Sequence, residues 1–445
     1  MNISIIGAGY VGLVTGTCLA EKGHQVTCID LDEEKVSSIN NGQSPIYEDG
    51  LETLLQKNVG DRLSATTNLP AAVHDTELSV IAVGTPFDGS TIDLSHIKQA
   101  AQDVGAALRT KRAYHTVIVK STVVPGTTNG PVRNLIESTA QKQAGEDFRL
   151  GMNPEFLREG EAVRDFMNPD RIVMGGDSAR TIDALETLYA PFEPVDTVHT
   201  SIRTAEMIKY ASNALLASMI SFSNEIGNLC AELDNVDVVD VMRGVHLDDR
   251  LSPFGSNGDR IEPGFISYLE AGCGFGGSCF PKDVKALIAH GEEEGVSMPM
   301  LDAAIETNEQ QPMQLLELLE RHFSDLQNRS VAVLGLSFKP GTDDMRESPA
   351  IPVVRSLQDR DAHVRAYDPI ALDEARNWFD GEGLTYCGSM EDAIDDTEAV
   401  VVVTRWPEFK QLDELLSDRS PQPLVVDGRR MLDKDAFERY EGIGL

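Results

Sequence analysis

Ile3-Ser4-Ile5-Ile6-Gly7-Ala8-Gly9-Tyr10-Val11-Gly12 is a strand running into a glycine turn. A helical pattern follows (Leu13, Cys18, Leu19), ending near Gly23, and a second strand, Gln25–Ile29, stops at Asp30. Glycines between strand and helix, with an acid closing the next strand, make up a dinucleotide-binding β–α–β unit. Gly7 permits the tight turn, Gly9 lets a pyrophosphate approach the main chain, and Gly12 lets the helix pack on the sheet. The helix N-terminus then faces the phosphates. Asp30 would accept hydrogen bonds from the adenosine ribose hydroxyls and disfavour a 2′-phosphate. NAD rather than NADP is therefore expected.

Working outward, strands are expected at 78–83, leading into Gly84-Thr85-Pro86, and at 115–120, leading into Ser121-Thr122. Small hydroxyl and glycine residues after parallel strands suit cofactor contact, or are ordinary β–α turns. In Asn153-Pro154-Glu155-Phe156-Leu157-Arg158-Glu159, two carboxylates stand four apart, either a functional pair or a solvated helix face. From 201 to about 233 the chain lacks proline and reads as one long helix that links domains or packs on a partner subunit. Lys209 and Asn213 share one face of it among alanines. They are surface polar residues, or buried groups that need a partner.

Irregular backbone is expected over 243–263, and a helical stretch over 299–323. Beyond residue 328, strands at 330–334, 364–367, 399–404 and 424–426 alternate with helical segments, predicting a second doubly wound domain. Its first loop, Gly335 to Asp344, lacks the dinucleotide spacing but offers glycines and Lys339. That suits a phosphate-bearing ligand other than a second dinucleotide. The fold class expected is α/β: two doubly wound, Rossmann-like parallel-sheet domains joined by a long central helix. The boundaries fall at 1–200, 201–324 and 325–445.

The chemistry is placed in Gly272-Cys273-Gly274-Phe275-Gly276-Gly277-Ser278-Cys279-Phe280-Pro281-Lys282-Asp283. The glycines leave backbone that a ligand can approach closely. Pro281 opens an apolar-periodic run, so Cys279 sits just ahead of a helix N-terminus, where partial positive charge favours a thiolate. Lys282 adds to that effect and Asp283 opposes it. Cys279 is a candidate covalent nucleophile, or a small buried residue in a glycine turn.

Composition bounds the rest. The 445 residues exceed one ordinary core, and 41% hydrophobic content supports packed domains. Neither an apolar run of membrane-spanning length nor a leader pattern is present, so a soluble cytoplasmic protein is expected. The six cysteines suggest no disulfide framework; Cys18 and Cys28 lie in apolar segments and read as core. No metal site is expected. The 72 acidic residues against 38 basic ones, a net charge of −34, are spread along the whole chain. That distribution predicts a surface kept soluble in concentrated salt, as in a halophilic protein. It argues against nucleic-acid binding, which needs a basic footprint.

GAGYVG, KSTVVPGTT, NPEFLREG, AEMIKYASNALLA, GFGGSCFPKD, GLSFKPGTDDMRESP and YDP occur in this order over nearly the whole chain. Together they closely resemble the nucleotide-sugar dehydrogenases of the UDP-glucose/GDP-mannose group, and NPEFLREGEAVRDFMNPDRIVMG resembles the members that oxidise UDP-glucose to UDP-glucuronate with two NAD⁺. The alternatives within the group act on GDP-mannose or UDP-N-acetylhexosamines. The resemblance implies that Cys279 traps an aldehyde as a thiohemiacetal and then forms a thioester. Lys209 and Asn213 would stabilise charge on the reacting oxygen, and Glu155, Thr122 and Asp283 would handle water and the substrate hydroxyl. The matched NAD-contacting positions are Gly7, Gly9, Tyr10, Val11, Gly12, Asp30, Lys35, Thr85, Thr122, Glu159, Lys282 and Arg346. Those for the nucleotide sugar are Glu155, Phe156, Leu157, Arg158, Glu159, Lys209, Asn213, Tyr268, Leu269, Glu270, Ala271, Gly272, Gly276, Lys339 and Arg429. Arg260 matches an arginine that reaches the partner subunit's substrate, in a stretch that departs from the usual pattern. The long helix matches a dimer core, so a homodimer or higher homo-oligomer is implied, with the last domain binding UDP. Cys273 beside the loop is unusual for the group.

Overall fold

The computed structural model describes residues 1–379, 381 and 383–445, in two compact units, Met1–Ser212 and Asn213–Leu445. The first unit holds a sheet of eight strands among the described residues. These are β1 (Asn2–Ile6), β2 (Gln25–Ile29), β3 (Leu63–Thr66), β4 (Leu78–Ile81), β5 (His115–Val119), β6 (Phe148–Met152), β7 (Arg171–Gly176) and β8 (Asp196–Thr200). Their order is β3-β2-β1-β4-β5-β6-β7-β8, and every pair is parallel except β6 with β7. β4 and β5 are buried along their whole length, which is why they read as unbroken apolar runs: helices cover both faces. The chain lays β2 and β3 on one side of β1 and β4 on the other. The switch point therefore lies at the carboxyl ends of β1 and β4, where such sheets bind ligands.

The helix Tyr10–Glu21 follows β1 directly and is buried from Gly12 to Ala20. A Cβ on Gly16 would lie 2.7 Å from the sulfur of Cys28, so this helix lies close on the sheet. Cys18 and Cys28 are core residues as expected, and burial pushes both thiols up to about 12. The long helix is Ile202–Cys230, 29 residues, and the division between units falls within it.

In the second unit the strands are β9 (Ser330–Leu334), β10 (His363–Tyr367), β11 (Leu384–Tyr386), β12 (Ala399–Val402), β13 (Leu424–Asp427) and β14 (Tyr440–Gly442). They are all parallel, in the order β11-β10-β9-β12-β13-β14, which repeats the arrangement of the first six strands of the other sheet. The expected α/β class with two Rossmann-like sheets and a long central helix is therefore the observed one. Two local expectations fail. The helical stretch over 299–323 is Pro299–Gln310 and Gln314–Glu320 separated by a 3-10 turn, Gln311–Met313. Pro312 lies in that turn and has no N–H to continue the ladder. The region from residue 243 is not wholly irregular, because the helix Val238–His246, capped by Asp237 on the Val239 N–H, runs into it. Among the described residues no helix is long and apolar enough to cross a membrane, and no cluster of metal-ligating side chains occurs.

Candidate active site

The first unit builds a dinucleotide cradle. Gly7 has φ +94°, a conformation that strains other residues, and a Cβ there would lie 2.7 Å from the Ala82 carbonyl oxygen. A Cβ on Gly12 would lie 1.8 Å from the Gly7 carbonyl oxygen, so the helix can start only with glycine there. Gly9, the N-cap, is different: a Cβ would meet nothing within 4 Å. No side chain caps this helix and no acid occupies its first turn, so its N–H groups stay available to an anion. The Asp30 carboxylate accepts from the Ala8 N–H at 2.9 Å and lies 3.4 Å from Lys35 Nζ, with 16% of its side chain exposed. That leaves acceptor capacity at the rim for a ribose diol. These residues fit an NAD molecule.

Two features of the cradle escaped the sequence reading. The Tyr10 hydroxyl donates to Glu48, a buried carboxylate that also accepts from the Gly160 N–H at 2.7 Å and the Ala162 N–H at 2.7 Å. Glu48 thus ties the first helical turn to the backbone just beyond Glu159. Val11 is half-buried against the core. Thr85 donates its hydroxyl to the Thr122 carbonyl at 2.6 Å, joining the turns after β4 and β5. The loop after Thr122 is held by Glu206 on the long helix, which accepts from the Gly126 N–H at 2.6 Å and the Thr128 N–H at 2.8 Å. Burial raises the Glu206 carboxyl above its usual range despite these donors.

Residues 153–159 are not a helix, so the solvated-face alternative for Glu155 and Glu159 falls; both side chains are buried. Glu155 Oε1 pairs with Lys209 Nζ at 2.8 Å, the two side chains being 5% and 4% exposed. Its other oxygen accepts from the Leu157 N–H at 2.6 Å. Burial works against the Glu155 charge, but Lys209 and these hydrogen bonds outweigh it and hold the carboxyl below its usual range. The Phe156 ring lies under the Arg171 guanidinium at 3.9 Å and 5.6 Å from Lys209 Nζ. Arg158 is exposed and pairs with Asp165 and Glu161.

In the second unit, residues 271–277 form a buried strap. Its backbone is clamped throughout: Gly272 N–H to Asn224, Cys273 N–H to the Gly428 carbonyl, Phe275 N–H to Asn308, and Gly277 N–H to the Arg346 carbonyl. Gln311 donates to the Gly272 carbonyl at 2.9 Å and Arg429 to the Gly274 carbonyl at 2.9 Å. A Cβ on Gly276 would lie 2.2 Å from the Glu347 carbonyl oxygen, and one on Gly277 would lie 2.7 Å from the Phe338 ring. The glycines let this strap lie against the first loop of the second sheet domain. Burial ends at Ser278, and Cys279 emerges half-buried as the N-cap of the helix Phe280–Glu293. One turn on, Asp283 is buried, accepts from Asn213 Nδ2 at 2.7 Å and pairs with Lys282 at 2.5 Å. The structure thus gathers Cys279, Lys282, Asp283 and Asn213 in the second unit, and Glu155 with Lys209 in the first.

The remaining candidates are scattered around the strap. Tyr268 closes a 3-10 turn with its ring 6.1 Å from that of Phe280; Leu269 and Ala271 are buried and Glu270 pairs with Arg405. Arg260 donates to the Leu247 and Ser252 carbonyls, pairs with Asp249 and stacks over Phe254. Arg346 is exposed beside Asp344, and Lys339 lies 5.8 Å over the Phe338 ring. Cys273 is fully buried and donates to the Val403 carbonyl, and burial raises its thiol. It is a packing residue.

Three family models match in order. They are the UDP-glucose/GDP-mannose dehydrogenase NAD binding domain over residues 1–193, the central domain over 203–310, and the UDP binding domain over 332–434. UDP-glucose 6-dehydrogenase AglM of Haloferax volcanii is 43% identical over 450 residues, covering 100% of both chains. UDP-glucose 6-dehydrogenase TuaD of Bacillus subtilis is 41% identical, covering 100% of this chain and 93% of its own. The solved UDP-glucose dehydrogenase of Pyrobaculum islandicum superposes with a TM-score of 0.90 at 39% identity, covering 99% of this chain and 97% of its own.

Proposed function

Because the chain belongs to the UDP-glucose/GDP-mannose dehydrogenase family, we propose that it oxidises the C6 hydroxyl of UDP-glucose to the carboxylate through a covalent intermediate on Cys279. It is an NAD-dependent nucleotide-sugar 6-dehydrogenase; the choice of UDP-glucose and the cysteine route are the proposal. The observation that carries the route is the position of Cys279: first half-exposed sulfur after a buried strap, at a helix N-terminus that favours negative charge.

Bound NAD⁺ supplies the hydride acceptor for each of two oxidations. At the first, the C6–O–H proton passes to a base and the resulting aldehyde is trapped by Cys279 Sγ, forming a C–S bond and a thiohemiacetal oxygen. At the second, the thiohemiacetal loses a hydride from carbon and a proton from oxygen, leaving a thioester. Water then adds, the C–S bond breaks, and the carboxylate and thiol are released. The chain's groups suit these steps. The Lys209 ammonium and an Asn213 amide N–H supply positive charge and a donor for developing oxyanions. Glu155 and Asp283 are buried carboxylates whose oxygens can accept a proton from water or the substrate hydroxyl. The Asn213–Asp283 hydrogen bond fixes the amide's orientation.

The stripe Leu215, Phe222 and Leu229, 62%, 51% and 58% exposed at seven-residue spacing on the long helix, supports a homodimer built on that face. A reducing, cytoplasmic setting fits a route that needs Cys279 as a free thiolate. The acidic surface supports function at high salt.

Purified protein given UDP-glucose, GDP-mannose or UDP-N-acetylmannosamine with excess NAD⁺ tests the reading. UDP-glucose should yield two NADH per sugar. One NADH per sugar rejects the covalent route, and none from UDP-glucose rejects the substrate.

A further inference from the structure

Lys120 follows β5 and is 3% exposed. Its ammonium contacts the Asn153 side-chain oxygen at 2.9 Å, the Asn153 carbonyl at 3.5 Å and the Tyr189 hydroxyl at 3.4 Å, and it lies 5.5 Å from the Phe166 ring centroid. Every one of these partners is neutral, and Lys120 makes no ion pair among the described residues. Tyr189 also donates to the same Asn153 oxygen at 2.5 Å, while Asn153 Nδ2 donates to the Val173 carbonyl at 2.9 Å. The amide is therefore locked with its oxygen toward the ammonium.

A buried cation among neutral groups is expensive, and a hydrocarbon of similar size would serve the packing at least as well. Its position says what the charge does. Asn153 stands two residues before Glu155, and Lys120 two residues before Thr122. One cavity of the first unit is lined by Lys120, Asn153, Glu155, Phe156, Arg171 and Tyr189.

We propose that Lys120 is a positioning residue of the nucleotide-sugar site: through Asn153 and Tyr189 its ammonium fixes the backbone that presents Glu155, and it sets a second positive charge beside that of Lys209. The inference rests on the function proposed above. The charged and titratable groups around Glu155 and in the cavity it lines are Lys209 on the long helix, Lys120 after β5, Tyr189, Asp170 with Arg171 at the start of β7, and Arg158 paired with Asp165 and Glu161. Burial pulls Lys120 down to about 8, with Glu155 opposing and Lys209 assisting. Lys120 is therefore charged at neutral pH and loses its proton in a range that kinetics can reach.

The test is the pH profile of kcat/KM for UDP-glucose in wild type and Lys120→Met, with melting temperature and NAD⁺ affinity measured alongside. Wild type should show an alkaline inflection near pH 8. In K120M that inflection should vanish, the acid limb should move to higher pH because Glu155 has lost a cation, and kcat should fall about 10- to 100-fold. UDP-glucose binding measured by calorimetry without NAD⁺ should weaken, while NAD⁺ affinity stays within about twofold. A K120M profile of wild-type shape, merely scaled, overturns the proposal. Should K120M fail to fold, Tyr189→Phe keeps the ring packing and removes one neutral partner of the ammonium. It should move the alkaline inflection to lower pH and leave the acid limb in place; an unmoved inflection overturns the proposal equally. Normal UDP-glucose turnover with unshifted profiles sinks this inference alone, whereas no wild-type turnover of UDP-glucose sinks the proposed function.

Discussion

Glu155→Gln probes the buried ion pair of the first unit, Glu155 with Lys209. Glutamine keeps the volume but not the charge, so it removes the carboxylate that balances the Lys209 ammonium in an interior that already holds Lys120. Breaking a buried pair by removing one partner costs about 3–5 kcal/mol. For a unit of this size each kcal/mol lowers Tm by about 2–4 °C, so E155Q should melt roughly 6–20 °C below wild type. Lys209→Met should cost a similar amount by stranding the carboxylate. The double variant removes both charges and should recover at least about 2 kcal/mol relative to the sum of the single changes. The sign of the pH dependence follows from the Glu155 carboxyl, held below its usual range in the folded chain. A depressed folded value contributes stability above the unfolded pKa, near 4.3, and that contribution is lost as pH falls through the folded one. The gap between wild type and E155Q should be full at pH 7 and narrow below about pH 4. Both tryptophans, Trp378 and Trp406, lie in the second unit, so far-ultraviolet circular dichroism and calorimetry are the assays, not fluorescence. E155Q unfolding within about 1 kcal/mol of wild type at pH 7 would refute the claim that the pair carries this stability.

Gly9→Ala should leave Tm unchanged, since its Cβ meets nothing within 4 Å, yet weaken NAD⁺ binding by intruding where the pyrophosphate lies; Gly12→Ala, with its Cβ 1.8 Å from the Gly7 carbonyl oxygen, should lower both Tm and NAD⁺ affinity. Titration calorimetry with NAD⁺ and a melting curve on each variant separate the two. Cys279→Ala should lower turnover by about three orders of magnitude, while Cys273→Ala, a buried thiol bonded to a carbonyl, should keep it within about twofold. Melting temperature should rise as KCl goes from about 0.1 to 2 M, because the Debye length falls from about 10 Å to below 3 Å and screens the self-repulsion of −34 charges; a flat or falling curve rejects the salt-adapted reading of the surface.

Much of the fold was legible in the sequence because its signals are local. The β1 turn needs glycine at position 7 for its positive φ and at position 12 because the Gly7 carbonyl leaves no room for a Cβ, and the long helix follows from an unbroken run without proline. The apolar run 330–334 predicts its strand to both ends, whereas the pattern over 299–323 predicts one helix although Pro312 breaks it. The site was legible where a residue type is rare in its setting: Cys279 among glycines, and Lys209 with Asn213 among alanines. It was not legible where function depends on a partner distant in sequence. Glu48 bonds Tyr10, 38 residues away, and the Gly160 N–H, 112 residues away, and Lys120 meets Asn153 only once β5 and β6 are side by side. For Lys120 a signal existed: a lysine ending an apolar strand that the sheet must bury.

The second sheet repeats the order of the first six strands of the other, and each sheet closes its second strand on an aspartate, Asp30 and Asp368, yet only the first suits a dinucleotide. Asp30 is partly exposed at the rim and bonded to the Ala8 N–H. Asp368 is fully buried, and its Oδ2 accepts from the Leu336 N–H, the Ser337 N–H, the Ser337 hydroxyl and Trp406 Nε1 at 2.8, 3.1, 3.0 and 3.1 Å. Its Oδ1 accepts from the Ile370 and Ala371 N–H groups. A carboxylate with its lone pairs taken and an indole across it has nothing left for a ribose diol. The loop it anchors instead carries Phe338 and Lys339, against which Gly277 packs. The second sheet therefore keeps the architecture of a nucleotide fold while its acidic residue shapes a loop rather than reads a ligand, so shared topology alone would have misassigned it.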